Sequence, residues 1–200
     1  MLREELLRRL DRHELWVNSA GDDGERLELF DLFLGPIDLS GRNLIEAELI
    51  RIDLVEARLA GARLAGADLT ETALRAADLT GANLNKATLD GAKLSRATMP
   101  RIEGRQLDLC DADLTEADLR DSDLAFSYLL NTDLRKADLR GARFYGAAFV
   151  GTRIGGANLR GVTGLEDARV ESVDVGSVDN PHTLERDAAL AWLRAAAAGG

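Results

Sequence analysis

Two histidines (His13 and His182), one cysteine (Cys110) and thirty-five aspartates and glutamates are the groups in this chain that could move a proton, attack an electrophile or hold a metal. Their spacing argues against catalysis. The histidines lie at opposite ends, Cys110 has no histidine near it in sequence, and no HExxH, CxxC or glycine-rich phosphate loop is present. Acid–base chemistry also needs carboxylates perturbed in a concave pocket. The expectation is a protein that is not an enzyme, with no catalytic residue, cofactor or metal. His13 is expected in an N-terminal cap and Cys110 as an outward thiol of no special reactivity. The carboxylates can still act together as an electrostatic surface, provided the fold puts them on one side.

The element that would position them is a repeat. In ADLTGANLNKATLDGAKL, Ala77 to Leu94, leucines stand at 79, 84, 89 and 94. A five-residue step scatters side chains around an α-helix and alternates them between the faces of a strand. From Leu39 to Leu159 the step gives 25 centres, of which 20 are Leu; the others are Phe144, Phe149, Ile154, Met99 and Gly104. The position two before the centre (−2) is Ala, Ser or Thr in 20 cases, the one before it (−1) is Asp or Asn in 13, and the one two after it (+2) is Gly in 10. A quarter turn every five residues reconciles these facts. All centres then point to one axis, four repeats close a square coil of 20 residues, and coils stack at about 4.8 Å. Small residues fit the second inward slot, while Asp, Asn and Gly suit tight corners. The 25 repeats make about six coils, a rod roughly 30 Å long.

The runs ADLTGANL, ADLTEADL and ADLRGARF resemble the A(D/N)Lxx signature of pentapeptide repeat proteins. That resemblance implies an all-β solenoid, a right-handed quadrilateral β-helix. The expected organisation is a helical N-terminal cap with a lead-in strand over 1–36, the repeat over 37–161, and an extended segment followed by a helix over 162–200.

The ends and one interior segment depart from the pattern. Residues 2–17 read as an amphipathic helix with Leu2, Leu6, Leu10 and Val17 along one stripe. Residues 26–34 read as extended, with Leu29 and Leu34 already in the five-residue frame. RVESVDVGSV alternates like a strand, and NPHTLERDAALAWLRAAAA begins with turn or cap residues and becomes a helix whose Leu184, Ala188 and Trp192 share a face. In ATMPRIEGRQLDL, Gly104 empties a centre while Ile102 and Leu107 replace alanines. The expectation is that these two fill the vacated volume, with a local bulge aided by Pro100. Arg42 occupies an inward slot near the start, where its guanidinium can reach water.

Net charge is −10, which disfavours direct nucleic-acid binding, and no apolar run of 18 residues is present to span a membrane. One cysteine and no secretory-type leader suggest a cytoplasmic setting. Every fourth repeat shares a face, so the charges can be sorted by side. The side centred on Leu49, Leu69, Leu89, Leu109, Leu129 and Phe149 carries Glu48, Asp68, Glu71, Asp90, Asp108 and Asp111 against a single base, Arg51. Beyond Asp111 it turns apolar with Tyr128, Leu130 and Val150, beside Phe126 and Tyr145 on the neighbouring side. These are expected either to lie under the C-terminal helix or to form a partner or dimer contact.

The family resemblance implies a protein partner. Characterised members include quinolone-resistance and self-immunity factors that present an acidic, duplex-like rod to DNA gyrase. On that implication the six acids would contact the basic saddle of DNA gyrase or topoisomerase IV, as partial mimicry of DNA. A two-fold dimer through the C-terminal end could use Leu184 and Trp192 with Tyr128, Leu130 and Tyr145. The alternative is a scaffold or regulatory interaction module unrelated to topoisomerases.

Overall fold

A β-turn with a left-handed corner recurs along the chain and makes it coil. The computed structural model describes residues 3–199. In most repeats the −2 amide donates to the preceding centre's carbonyl, as from Ala47 to Leu44 (3.1 Å) and from Ala87 to Leu84 (3.0 Å). The third residue of that turn is the +2 position, and it has positive φ whether it is Gly61 (65°), Glu71 (55°) or Lys86 (61°). Glycine is common there because it adopts that conformation without strain.

Three further backbone amides per repeat are used in stacking or turn bonds. The −1 amide donates down to the previous coil (Asp68 to the Ala47 carbonyl, 2.9 Å); the centre and +2 amides donate up (Leu69 to Thr88, 2.8 Å; Glu71 to Asp90, 2.8 Å). The remaining +1 amide lies outside this ladder, and the −1 Asp or Asn accepts it, as Asp78 Oδ1 does from Thr80 N (2.9 Å). The acidic corner residue is therefore an acceptor, and the left-handed dihedral belongs to the +2 residue.

Parallel bridges join residues 20 apart, and they fall into four columns. One runs Glu48, Asp68, Thr88, Asp108, Tyr128; the others pass through Asp53 and Ala73, through Arg58 and Asp78, and through Arg63 and Asn83. Leu44, Leu64 and Leu84 thus sit above one another, and all three are fully buried. The inward −2 hydroxyls are satisfied across coils: Thr132 donates to the Leu109 carbonyl (2.7 Å), Ser127 to Gly104 (2.8 Å) and Thr152 to Leu129 (2.6 Å). Ser and Thr substitute for Ala because their hydroxyls find a partner in the dry interior.

Helix α1 (Arg3–Asn18) opens the chain. Leu6 and Leu10 are buried in the same core as the leucine stack; Leu2 lies outside the described residues. Val17 is only partly buried, and His13 takes the buried place instead. Its Nδ1 accepts the Leu27 amide (3.0 Å), and its ring stacks on Trp16 with centroids 5.7 Å apart. Burial, and then the charge of Arg26, hold His13 below the usual imidazole pKa, so the ring is neutral. Strand β1 (Glu28–Phe30) pairs in parallel with β2 (Glu48–Ile50), placing Leu29 beside Leu49. Inward Arg42 keeps partial access to water and is also bridged by α1: its Nη1 lies 3.3 Å from both Asp11 and Glu14.

No bulge forms at Gly104. Glu103 keeps its bridges to Asn83 and Asp123, and Gly104 N donates to Asp123 O (2.8 Å). Pro100 occupies a +1 slot, whose amide the ladder does not use, so proline costs nothing there. The space of the missing side chain goes to Leu107 and Leu124, whose methyls would lie 3.2 and 3.1 Å from a Cβ at 104.

Towards the C-terminus, β3 (Tyr128–Leu130), β4 (Ala148–Val150) and β6 (Arg169–Val170) form one sheet, while β5 (Thr152–Arg153), β7 (Ser172–Asp174) and β8 (Thr183–Glu185) form another. Helix α2 (Arg186–Ala197) follows. Leu184 is therefore a strand residue, not a helical one. It pairs antiparallel with Val173, and this pairing helps bury Val173 fully. The buried face of α2 is Ala189 and Leu193, with Trp192 partly buried and Ala188 exposed.

Leu89→Ala is expected to cost about 3 kcal/mol by opening a cavity in the stack. Lys93→Ala, on the exterior, should cost less than about 0.5 kcal/mol. Urea denaturation of the two variants against wild type measures the difference.

Candidate interaction face

The column Glu48, Asp68, Thr88, Asp108 and Tyr128 defines one side of the rod, and the ladder brings the expected acids together on it. Their environments differ. Glu48 is neutralised by Arg26, 2.8 Å away in the lead-in segment, and Arg51 is taken by Asp31 at 2.6 Å. The lead-in pairing was not legible in the repeat, because Arg26 precedes the frame. Asp68, Glu71, Asp90, Asp108 and Asp111 have no cationic partner among the described residues. Their hydrogen bonds come from neutral groups: Thr70 N to Asp68 (2.9 Å), Cys110 N to Asp108 (3.0 Å) and Asn131 Nδ2 to Asp111 (3.1 Å).

The other three sides hold many of their acids in ion pairs. Arg58 meets Asp38 (3.6 Å), Arg140 meets Asp138 (2.6 Å), Arg143 meets Asp123 (3.1 Å), Arg153 meets Asp133 (3.2 Å) and Arg96 meets Glu116 (2.9 Å). Several of these pairs join residues 20 apart, since a base stacked one coil above an acid lies within reach of it. The acidic side has no such base over three consecutive coils.

Mutual repulsion is felt at the centre. Asp90 is raised above the ordinary aspartate range, first by partial burial and then by the fields of Asp108, Asp111, Glu71 and Asp68. Cys110 sits within the same field. Its thiol is pushed up to about 12 by burial, by its hydrogen bond to Asp108 and by the charges of Asp108 and Asp90. Both residues report an anionic surface whose charges are not balanced locally.

Next to the acids the surface is apolar and open. Phe126 (39% exposed), Tyr128 (56%), Leu130 (40%) and Tyr145 (50%) are not covered by α2, so the expectation of a C-terminal cover does not hold. Helix α2 instead packs across β6, β7 and β8, with Leu184 and Trp192 partly buried against the protein's own core. The rings of Phe126 and Tyr145 meet edge to face at 5.3 Å, and the Arg105 guanidinium lies 5.5 Å from the Phe126 centroid. His182 is exposed, and His13 is consumed in the α1 contact. Among the described residues no helix is long and apolar enough to cross a membrane, and no three His, Cys, Asp or Glu side chains are grouped to hold a metal.

A family model for pentapeptide repeats matches eight copies, in residues 37–70, 62–101 and 122–161. Among solved structures the chain is similar to HetL, a pentapeptide repeat protein involved in heterocyst differentiation regulation from the cyanobacterium Nostoc sp. strain PCC 7120. That match has 23% identity and a TM-score of 0.38, over 84% of this chain and 98% of that one. It is similar also to a trypsin-treated variant of QnrB1, a plasmid-mediated fluoroquinolone resistance protein (18% identity, TM-score 0.44, 76% of this chain and 84% of that one). A third is a pentapeptide repeat protein from the Arabidopsis thaliana thylakoid lumen (25% identity, TM-score 0.26, 72% and 83%). No curated protein sequence gives a significant match.

Asp90 holds its proton more tightly folded than unfolded. It therefore destabilises the fold above its raised pKa, and the penalty disappears as pH falls through the raised value to the ordinary one. Asp90→Asn is expected to raise Tm at pH 7 by on the order of 1–2 °C. The gain should vanish by about pH 4 and shrink in high salt, as calorimetry across pH will read. Cys110 should react with iodoacetamide at pH 8 at least tenfold more slowly than free cysteine, a ratio that mass spectrometry of timed aliquots measures.

Proposed function

The chain belongs to the pentapeptide repeat family, and from that premise we propose that it is a non-enzymatic binding protein. In this reading it is a rod of about six coils, closed by α1 below and α2 above, that presents one anionic side to a basic protein surface. The observation that carries the reading is a run of five carboxylates on one side with no base among them over three coils, where the other sides intersperse their acids with arginines and lysines. Asp68 and Asp108 are two coils apart, about 10 Å. Five charges over the three coils, about 14 Å, come to about one per 3 Å, roughly half the density of duplex DNA at one per 1.7 Å. With Glu48 neutralised by Arg26, the likeness to DNA is confined to these three coils and does not run the length of the rod.

A surface of that density attracts a phosphate-binding groove at long range and competes with the duplex for it. The partner we favour is therefore a type II topoisomerase, DNA gyrase or topoisomerase IV, whose inhibitors the rod would counter. A scaffold unrelated to topoisomerases is the alternative, and it requires no competition with DNA.

Purified protein at low micromolar concentration is expected to inhibit gyrase supercoiling or relieve quinolone-induced cleavage, more weakly as salt is added. The triple variant Asp68→Lys, Asp90→Lys, Asp108→Lys should lose at least tenfold in potency. A wild-type protein without effect on either reaction, or a triple variant as active as wild type, rejects the topoisomerase reading.

A further inference from the structure

The open apolar sheet next to the acids has the form of a docking surface. In β3 and β4, Tyr128 pairs with Ala148 and Leu130 with Val150, so their outward side chains form a flat, two-coil platform. Phe126 borders it in a conformation that bulky residues rarely adopt, with φ of 62°. Its ring is held in place by Gly146, where a Cβ would come within 2.7 Å of it, by the edge of Tyr145 and by Arg105. An exposed ring fixed in advance loses little conformational entropy on binding, and tyrosine and arginine are typical of interface hot spots.

What sits on the platform is indicated by its border. Asp108 is the ladder partner directly below Tyr128, and the Asp111 amide donates to the Leu130 carbonyl (2.8 Å). Unpaired negative charge therefore begins one coil, about 4.8 Å, from the apolar groups and continues for two coils more. Two bases border the platform: Arg105, engaged with Phe126 and with Asp123 (3.4 Å), and Arg169, which pairs with Ala148 at the end away from the acids. An α-helix laid along the rod advances one coil every 3.2 residues or so, at about 1.5 Å per residue. Side chains at helical spacing would thus meet successive coils in turn.

We propose that this face docks a cationic amphipathic helix of a partner protein, with aliphatic or aromatic residues on Tyr128 and Leu130 and Lys or Arg residues at the next turns over Asp108, Asp90 and Asp68. The inference rests on the reading of the rod as a protein-binding surface. It adds that half of the contact is apolar and that the partner's charge and apolar groups are segregated along one helix face.

The test uses the full-length protein and a fluorescein-labelled helical peptide of about 16 residues. Two leucines occupy the first contact turns and three lysines the following ones; a control peptide of equal composition alternates them. Fluorescence anisotropy should show the segregated peptide binding at least tenfold more tightly than the alternating one. Tyr128→Ser/Leu130→Ser, both at exposed positions, should weaken it at least tenfold and abolish the binding that persists in 0.5 M salt. Asp90→Asn/Asp108→Asn should weaken it at low salt only. Should the serine pair not fold by circular dichroism, Leu130→Gln alone is read in its place. Equal binding of the two peptides, or a serine variant that binds like wild type, overturns the proposal. So does a mass by light scattering of twice 21.6 kDa that the serine variant returns to monomer, since a second copy is then the occupant. Peptide binding with no effect on gyrase overturns the topoisomerase reading alone; gyrase inhibition without discrimination between the peptides overturns this one alone.

Discussion

Everything in this molecule depends on one backbone constraint: a residue with φ near +60° at the third position of each turn. It bends the chain a quarter turn and turns the centre side chain inward. It also leaves the amides of the flanking residues pointing along the rod, where the neighbouring coils' carbonyls meet them. Glycine accepts the conformation freely, yet many corners use Glu, Asp, Arg or Lys. Each such corner costs something on the order of 1 kcal/mol. The coil-to-coil ladder and the burial of a leucine every five residues offset that cost collectively. The fold is stable as a stack, since each coil satisfies and covers its neighbours.

Stacking at about 4.8 Å makes side-chain columns the electrical unit of the surface. Like charges placed 20 residues apart repel; opposite charges pair. On three sides Arg and Asp alternate closely enough along the columns that ion pairs form between coils, as at Asp123 with Arg143 and Asp133 with Arg153. On the fourth, acid follows acid through Asp68, Asp90 and Asp108, and their charges add to burial in pushing up the pKa values of Asp90 and Cys110. The fold tolerates the repulsion because the leucine stack behind it is uninterrupted. Charge on this exterior can therefore vary with little effect on the packed interior.

The coil and its four sides were legible because the five-residue frame is a direct consequence of the turn: whatever breaks the frame would break the fold. The six acids could be placed on one side from spacing alone. What could not be read were contacts made by segments outside the frame. Arg26 neutralises Glu48, and α1 supplies Asp11 and Glu14 to Arg42, from stretches with no repeat to index them. Leu184 looked helical because ERDAALAWL runs on behind it, but the open edge of β7 offered it a strand partner first. Gly104 suggested a bulge because the residue at the centre was missing, although the ladder runs through the backbone and does not depend on that side chain.

The absence of loops between coils has a consequence for how such a chain can change in length. Removing five residues between Asp111 and Tyr128 would rotate every later side by a quarter turn relative to the acids. The platform of Tyr128 and Leu130 would then no longer stand over Asp108, though the interior would remain filled. Only a change of twenty residues, one whole storey, preserves the alignment of upper and lower surface features. The rod is thus a ruler with two graduations, a fine one set by folding and a coarse one set by what the surface must recognise.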